Sequence, residues 1–190
     1  LNENFRFSRY EHSFIWLKEA GVALPLFGVQ EPDVPLLLSK STNLFKLFLS
    51  DVGLLAAMYA NGLQIKILNK EKDINFGAVY ENAVAQELKM QGFDLYYFNS
   101  KKQGELDFVI EYKGNVLPVE VKSGKSYTRH NALDNVLATP GYHIEQAIVF
   151  CNENIHRKDN IIYMPVYMAG MLKKETQEDY FYSLDLGILQ

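Results

Sequence analysis

The sequence predicts an α/β fold: an αβββαβ core with a mixed sheet, preceded by a small α/β segment. Three observations point there. Residues 77–91 repeat apolar side chains at helical spacing and stop at Gly92. Short β-branched and aromatic runs follow at 93–98, 105–112 and 116–123, joined by connections that suit an antiparallel meander. A second helical stretch, 130–138, is closed by Pro140-Gly141 and leads to another run at 146–151, as in a strand–helix–strand crossover.

The elements follow in order. Tyr10, Phe14, Leu17 and Val22 have approximately helical spacing, and Gly21 ends that run. Apolar runs at 23–29 and 36–38 are separated by the turn segment Glu31-Pro32-Asp33-Val34-Pro35. A third run at 45–49 leads into a helix over 51–60. Helix, strand, strand is compatible with a winged-helix-like unit, so residues 1–60 are read as such an appendage with a linking helix. Residues 61–76 are polar and charged and read as a connection; 77–175 form the main domain and 176–190 a tail. Within the main domain Lys113-Gly114-Asn115 is a tight turn, and a fifth run at 161–167 is weakened by Pro165.

The bulk numbers exclude several classes. A chain of 190 residues that is 48% hydrophobic can bury a sizeable core, and 13% aromatic content argues against disorder. No apolar stretch is long enough for a bilayer, and the single Cys151 allows no disulfide framework within the chain, so no membrane partner and a cytoplasmic location are expected. A net charge of −4 argues against a surface that clamps nucleic acid all over. Residues 101–130 nevertheless carry six basic against four acidic side chains, enough for a local basic groove. His12, His143 and His156 are scattered and lack the spaced partners of a zinc site. A start at Leu1, without Met, is what a piece cut from a longer protein would show.

One constellation carries chemistry. Along 116–123, Val119 and Val121 share one face while Glu120 and Lys122 share the other, with roughly 7 Å between their Cα atoms. Charges placed between buried positions are costly unless they pair or hold an ion. Asp107 interrupts the apolar run Leu106-Asp107-Phe108-Val109-Ile110 in the same way, and the turn at Gly114 makes the two strands antiparallel neighbours. In the correct register Asp107 lies beside Glu120. On the preceding helix Glu81 shares a face with Ala78, Val84, Ala85 and Leu88, the face expected to pack on the sheet. Glu81, Asp107 and Glu120 could therefore converge as metal ligands, with Lys122 beside them. Hard oxygen donors suit Mg²⁺ or Mn²⁺, and such a set fits metal-assisted phosphodiester hydrolysis. Gln103, Lys125 and Arg129 are candidates for contacts to nucleic acid, and Tyr127 and His130 fit either contacts to phosphate or bases or a plain start of the second helix. Taken alone, Val-Glu-Val-Lys would also fit a salt pair on a solvated strand face.

The pattern Gly104-Glu105-Leu106-Asp107-Phe108-Val109, a short turn, then Pro118-Val119-Glu120-Val121-Lys122-Ser123-Gly124 resembles the PD-(D/E)xK nuclease superfamily. The resemblance implies a restriction-endonuclease-like core and catalytic roles for Asp107, Glu120 and Lys122, with Glu81 as an accessory ligand. The Pro of the superfamily's name is absent, since Leu106 precedes Asp107. The segments 45–55, 77–82 and 105–124 together look like the carboxy-terminal domain, of unknown function, of prokaryotic AAA-type ATPases. That resemblance covers about residues 5–175 and implies an ATPase domain elsewhere in the full-length protein. Gly124-Lys125-Ser126 is not a phosphate-binding loop, because the required glycine five positions earlier is Val119. The expected activity is that of a Mg-dependent nuclease acting on DNA ahead of RNA. A non-catalytic regulatory, protein-interaction or nucleic-acid-binding domain of that ATPase is the alternative. Trp16 is expected to pack inside the appendage.

Overall fold

The computed structural model describes residues 11–59, 65, 66, 69 and 76–174. Tyr10, most of the expected connection and the tail at 176–190 lie outside the described residues.

The chain runs α1 (Glu11–Glu19), β1 (Ala23–Val29), β2 (Lys40–Leu49), α2 (Val52–Met58), α3 (Phe76–Met90), β3 (Tyr96–Ser100), β4 (Gly104–Tyr112), β5 (Asn115–Val121), α4 (Asn131–Leu137), β6 (Ala147–Cys151), β7 (His156–Lys158) and β8 (Ile161–Pro165). From α3 to β6 this is the expected αβββαβ order. All eight strands join one mixed sheet in the order β2-β1-β3-β4-β5-β6-β8-β7. β5, β6 and β8 are parallel to one another, as are β1 and β3, while β3–β4–β5 is an antiparallel meander. The β4–β5 turn has two residues, Lys113 and Gly114, both in the left-handed region (φ 53° and 77°), the geometry whose twist matches a hairpin.

Each face of the sheet has its own core, as layered α/β packing requires. On one face Val84, Ala85 and Leu88 of α3 pack on Phe108, Ile110, Leu117, Val119, Val121 and Phe150. On the other, Leu133 and Val136 of α4 pack on Phe98, Leu106, Val109, Val116 and Val149. α3 ends where Phe93 N–H donates to Leu88 C=O and Gly92 N–H to Lys89 C=O, the paired bonds that close a helix before a turn.

The first fifty residues depart from the expectation in three ways. β1 hydrogen-bonds to β3, so the expected appendage and the main domain share one sheet. Residues 36–39 form a 3-10 turn, with Leu36 buried and its N–H on the Glu111 carboxylate at 2.6 Å, while Leu37 and Leu38 are exposed. The second strand is instead β2, extended back through a polar stretch because it pairs along the whole of β1 across a bulge at Phe27/Gly28. Trp16 does not pack inside: it is 78% exposed. β7 escaped the sequence reading because it is three exposed residues, His-Arg-Lys, with no alternation; charge of this kind blunts a sheet edge.

Side-chain amides fasten the hairpin to the core. Asn82 of α3 is buried, accepts from Leu49 N–H at 2.8 Å and donates to Leu49 C=O at 2.9 Å. One helical turn later Gln86 accepts from Val52 N–H at 2.9 Å. A side-chain amide that pairs with both backbone groups of one residue acts as a one-residue strand, so the end of β2 is held against α3.

Candidate active site

The β4–β5 register places the site. Phe108 is opposite Val119, and one position further sets Asp107 beside Glu120. The backbone ladder stops there: the Val121 N–H donates to Asp107 Oδ2 at 2.8 Å. On its other side β4 is bulged. Tyr96 pairs with Val109 but Phe98 with Leu106, so three steps on β4 face two on β3. A bulge re-aims side chains locally. Here Leu106 and Val109 both enter the α4-side core while Phe108 enters the α3-side core. Asp107 sits inside that irregularity, next to Glu120.

With Val119 and Val121 in the α3-side core, Glu120 turns to the other face, where it is only 2% exposed. Lys122 Nζ donates to Glu120 Oε2 at 2.9 Å. The next segment closes the opposite side of an open cleft of about 260 Å³, lined by Glu105, Asp107, Glu120 and Lys122 on the strands and by residues 129–132 at the start of α4.

The electrostatics follow from this crowding. Burial, then the Asp107 charge, pushes the Glu120 carboxyl up to about 8 against the pull of Lys122. Burial would lower Lys122, but the Glu120 carboxylate and then Asp107 and Glu81 outweigh it, so the net shift is upward and the ammonium persists. Glu81 is raised by burial and by Asp107, with Lys46 opposing.

Asp107, Glu120, Lys122 and Arg129 line the cleft. Glu81 does not line it: it rides on α3, which covers the opposite face, and it reaches the group only through charge. Asp107 is the largest charge acting on Glu81, and Glu81 in turn raises Lys122. Among the described residues no three His, Cys, Asp or Glu side chains form a group that could hold a metal by themselves. Gln103 is buried rather than presented to the cleft; its side chain is engaged with Ser100, its N–H donates to Ser100 Oγ at 3.0 Å, and its C=O accepts from Asn135 at 3.1 Å. Lys125 is exposed and does not line the cleft.

Four participants were not among the chosen site residues. Glu105 lines the cleft two positions before Asp107, held by an ion pair with Lys46 and by Asn99 Nδ2 at 2.7 Å. The i, i+2 spacing to Asp107 was its signal. Lys46, its Nζ 4.8 Å from the Tyr97 ring centre, comes from β2, and no local pattern joins it to residues sixty positions later. Asn131 belongs to the wall formed by the start of α4. His130, weighed as a phosphate or base contact against a plain helix start with a solvated side chain, is 7% exposed and lines the cleft.

Gly104 makes the α4 wall possible. Its φ is +100°, and a Cβ there would lie 3.0 Å from the Ala132 Cβ, so glycine lets the start of β4 and the start of α4 touch.

Neither the curated proteins nor the solved structures contain a match to this chain. Residues 76–168, from the first turn of α3 to just beyond β8, match the profile of the family described as Domain of unknown function (DUF4143), a span that contains every residue lining the cleft.

Proposed function

We propose that the cleft hydrolyses phosphodiester bonds of nucleic acid, DNA ahead of RNA, with a divalent cation, Mg²⁺ or Mn²⁺, held by Asp107 and Glu120. The observation that carries this reading is Glu120: a carboxylate almost sealed from water, beside a second carboxylate and bonded to an ammonium, on an open cleft whose far wall carries Arg129. Such a group is costly to keep unless a cation uses it. Two adjacent carboxylates fit a cation of the Mg²⁺ type, which keeps several waters and completes its shell with phosphate oxygens. When bound, the cation would supply Lewis-acid polarisation of the phosphate and a more acidic water.

The chain's own residues do the rest. Val121 N–H orients Asp107. Lys122 stays charged and so serves as a donor to the attacking water or to the phosphate's growing charge, not as a base. Arg129 binds a backbone phosphate across the cleft. The likeness to PD-(D/E)xK nucleases and to the carboxy-terminal domain of AAA-type ATPases adds an ATPase domain of the same full-length protein as partner, and the single Cys151 fits a cytoplasmic setting. Among the described residues no helix is long and apolar enough to cross a membrane.

The test is calorimetric titration of Mg²⁺ and Mn²⁺ into wild type and Asp107→Ala, with plasmid and single-stranded DNA incubated in parallel. Binding and cleavage that both vanish in the variant support the proposal; a folded wild type that does neither ends it. One observation favours a second reading, a non-catalytic interaction domain: Trp16 on α1 and Met58 on α2 are 78% and 70% exposed. Under that reading the carboxylates are dispensable for partner binding.

A further inference from the structure

The wall that faces the carboxylates begins a helix of seven residues, α4, with two buried apolar side chains, Leu133 and Val136. A helix so short does not hold its own position in water. Its N-cap is His130, yet the imidazole makes no capping bond. Nε2 lies 2.7 Å from the Tyr163 hydroxyl on β8, two strands beyond β5 in the sheet. Tyr163 is a fixed point: it is 1% exposed, its ring lies parallel to His156 at 4.5 Å and meets Tyr127 edge-on at 5.6 Å. On the other side Nδ1 is buried, 2.9 Å from Asp134 Oδ1 but without the alignment of a hydrogen bond. The imidazole is thus withdrawn from capping and spent on a tie to a distant strand, and the residues on either side of it, Arg129 and Asn131, line the cleft.

We propose that His130 is a positioning residue for substrate: through Tyr163 it fixes the Arg129–Asn131 wall opposite Asp107 and Glu120, so that a phosphodiester backbone is bound across the cleft. This rests on the nuclease reading of the same site. A group that binds phosphate equally in ground and transition states governs KM and leaves kcat alone. Loosening the wall therefore weakens substrate capture without touching the chemistry at the carboxylates.

The experiment measures KM and kcat for Mg²⁺-dependent cleavage of a fluorescent DNA oligonucleotide by wild type, Tyr163→Phe, His130→Gln, His130→Ala and the double variant His130→Ala/Tyr163→Phe, each first checked by thermal melting. Tyr163→Phe removes one oxygen and keeps the stacked ring, so it tests the tie even if His130→Ala fails to fold. It is expected to raise KM roughly three- to tenfold, the size of one lost hydrogen bond, with kcat within about twofold. His130→Gln, which can still reach the tyrosine oxygen, is expected to restore most of the affinity. The double variant is expected to be no worse than the worse single one, because both cut the same tie. A Tyr163→Phe protein that cleaves with wild-type KM, or two effects that add, overturns the inference and leaves the nuclease reading standing. A wild type that neither binds nor cleaves the oligonucleotide overturns both.

Discussion

The Val121 amide donates to the Asp107 carboxylate at 2.8 Å, at the point where the β4–β5 ladder ends. A side chain takes the place of a backbone carbonyl, and the acid is oriented by the strand that carries its neighbour Glu120. Two roles are thereby joined in Asp107, and a pair of substitutions separates them. Asp107→Asn keeps an acceptor for Val121 and should hold stability within about 1 kcal/mol of wild type while abolishing divalent-metal binding. Asp107→Ala also strands the amide and should cost about 1–2 kcal/mol more. Urea unfolding beside metal titration checks both; equal stabilities would show that the amide bond contributes nothing.

Glu120 makes the fold weaker as pH rises. Its carboxyl moves from an ordinary 4.5 to about 8 on folding, so between those values the folded chain keeps a proton that the unfolded chain has released. Stability therefore falls across that window, and the full cost of the buried charge is reached above it. Glu120→Gln should match wild type near pH 4 and exceed it by about 5 kcal/mol above pH 8. Added Mg²⁺ should narrow the gap by stabilising the charged form. Denaturation curves from pH 4 to 9 would show a flat difference if the carboxyl were unperturbed.

Lys122 is the ammonium that keeps Glu120 from rising further. Lys122→Met should push the Glu120 carboxyl higher still and reduce cleavage by about 100-fold or more. Arginine at this position keeps the charge but not the compact point donor, so Lys122→Arg should recover little activity. A Lys122→Met enzyme with near-normal turnover would remove Lys122 from the chemistry.

Gly104→Ala places a methyl group 3.0 Å from Ala132 on a backbone with φ +100°. The strained conformation alone should cost about 1–2 kcal/mol. Because the new methyl group presses on the start of α4, substrate affinity should fall along with stability. Melting temperature and KM measured together test this; a loss of stability with unchanged KM would detach the wall from substrate binding.

Asn82→Ala deletes both bonds to Leu49. It should destabilise the protein by about 2–3 kcal/mol, far more than an exposed amide would. Hydrogen exchange should show β1 and β2 opening first. Uniform loss of protection across the sheet would contradict a local fastening.

The core order was legible because period and punctuation agree there: 77–91 is amphipathic up to Gly92, and Gly114 supplies the hairpin. Asp107, Glu120 and Lys122 stood out because charges inside apolar strands break a local pattern. What the pattern could not carry was which face each charge takes. The β4 bulge and the turn of Glu120 toward α4 are tertiary facts that no local periodicity carries. Likewise Lys46 joins Glu105 through sheet pairing across a long stretch of sequence, and His130 finds Tyr163 only once β8 is in place. The polar opening of β2 hid a strand, since edge strands need apolar residues on one side at most.

The family match begins at residue 76, after the β1–β2 hairpin, yet β1 is the hydrogen-bonded neighbour of β3. The matched span and the hydrogen-bonded sheet are therefore different lengths of chain. A fragment trimmed to the matched span would keep every residue of the cleft and leave the aromatic strand Tyr96–Ser100 with a bare row of backbone donors and acceptors. Such an edge recruits whatever strand is nearest, including another copy of itself. In this chain the hairpin seals that edge, so the cleft's sheet depends on a segment that contributes no residue to the cleft lining.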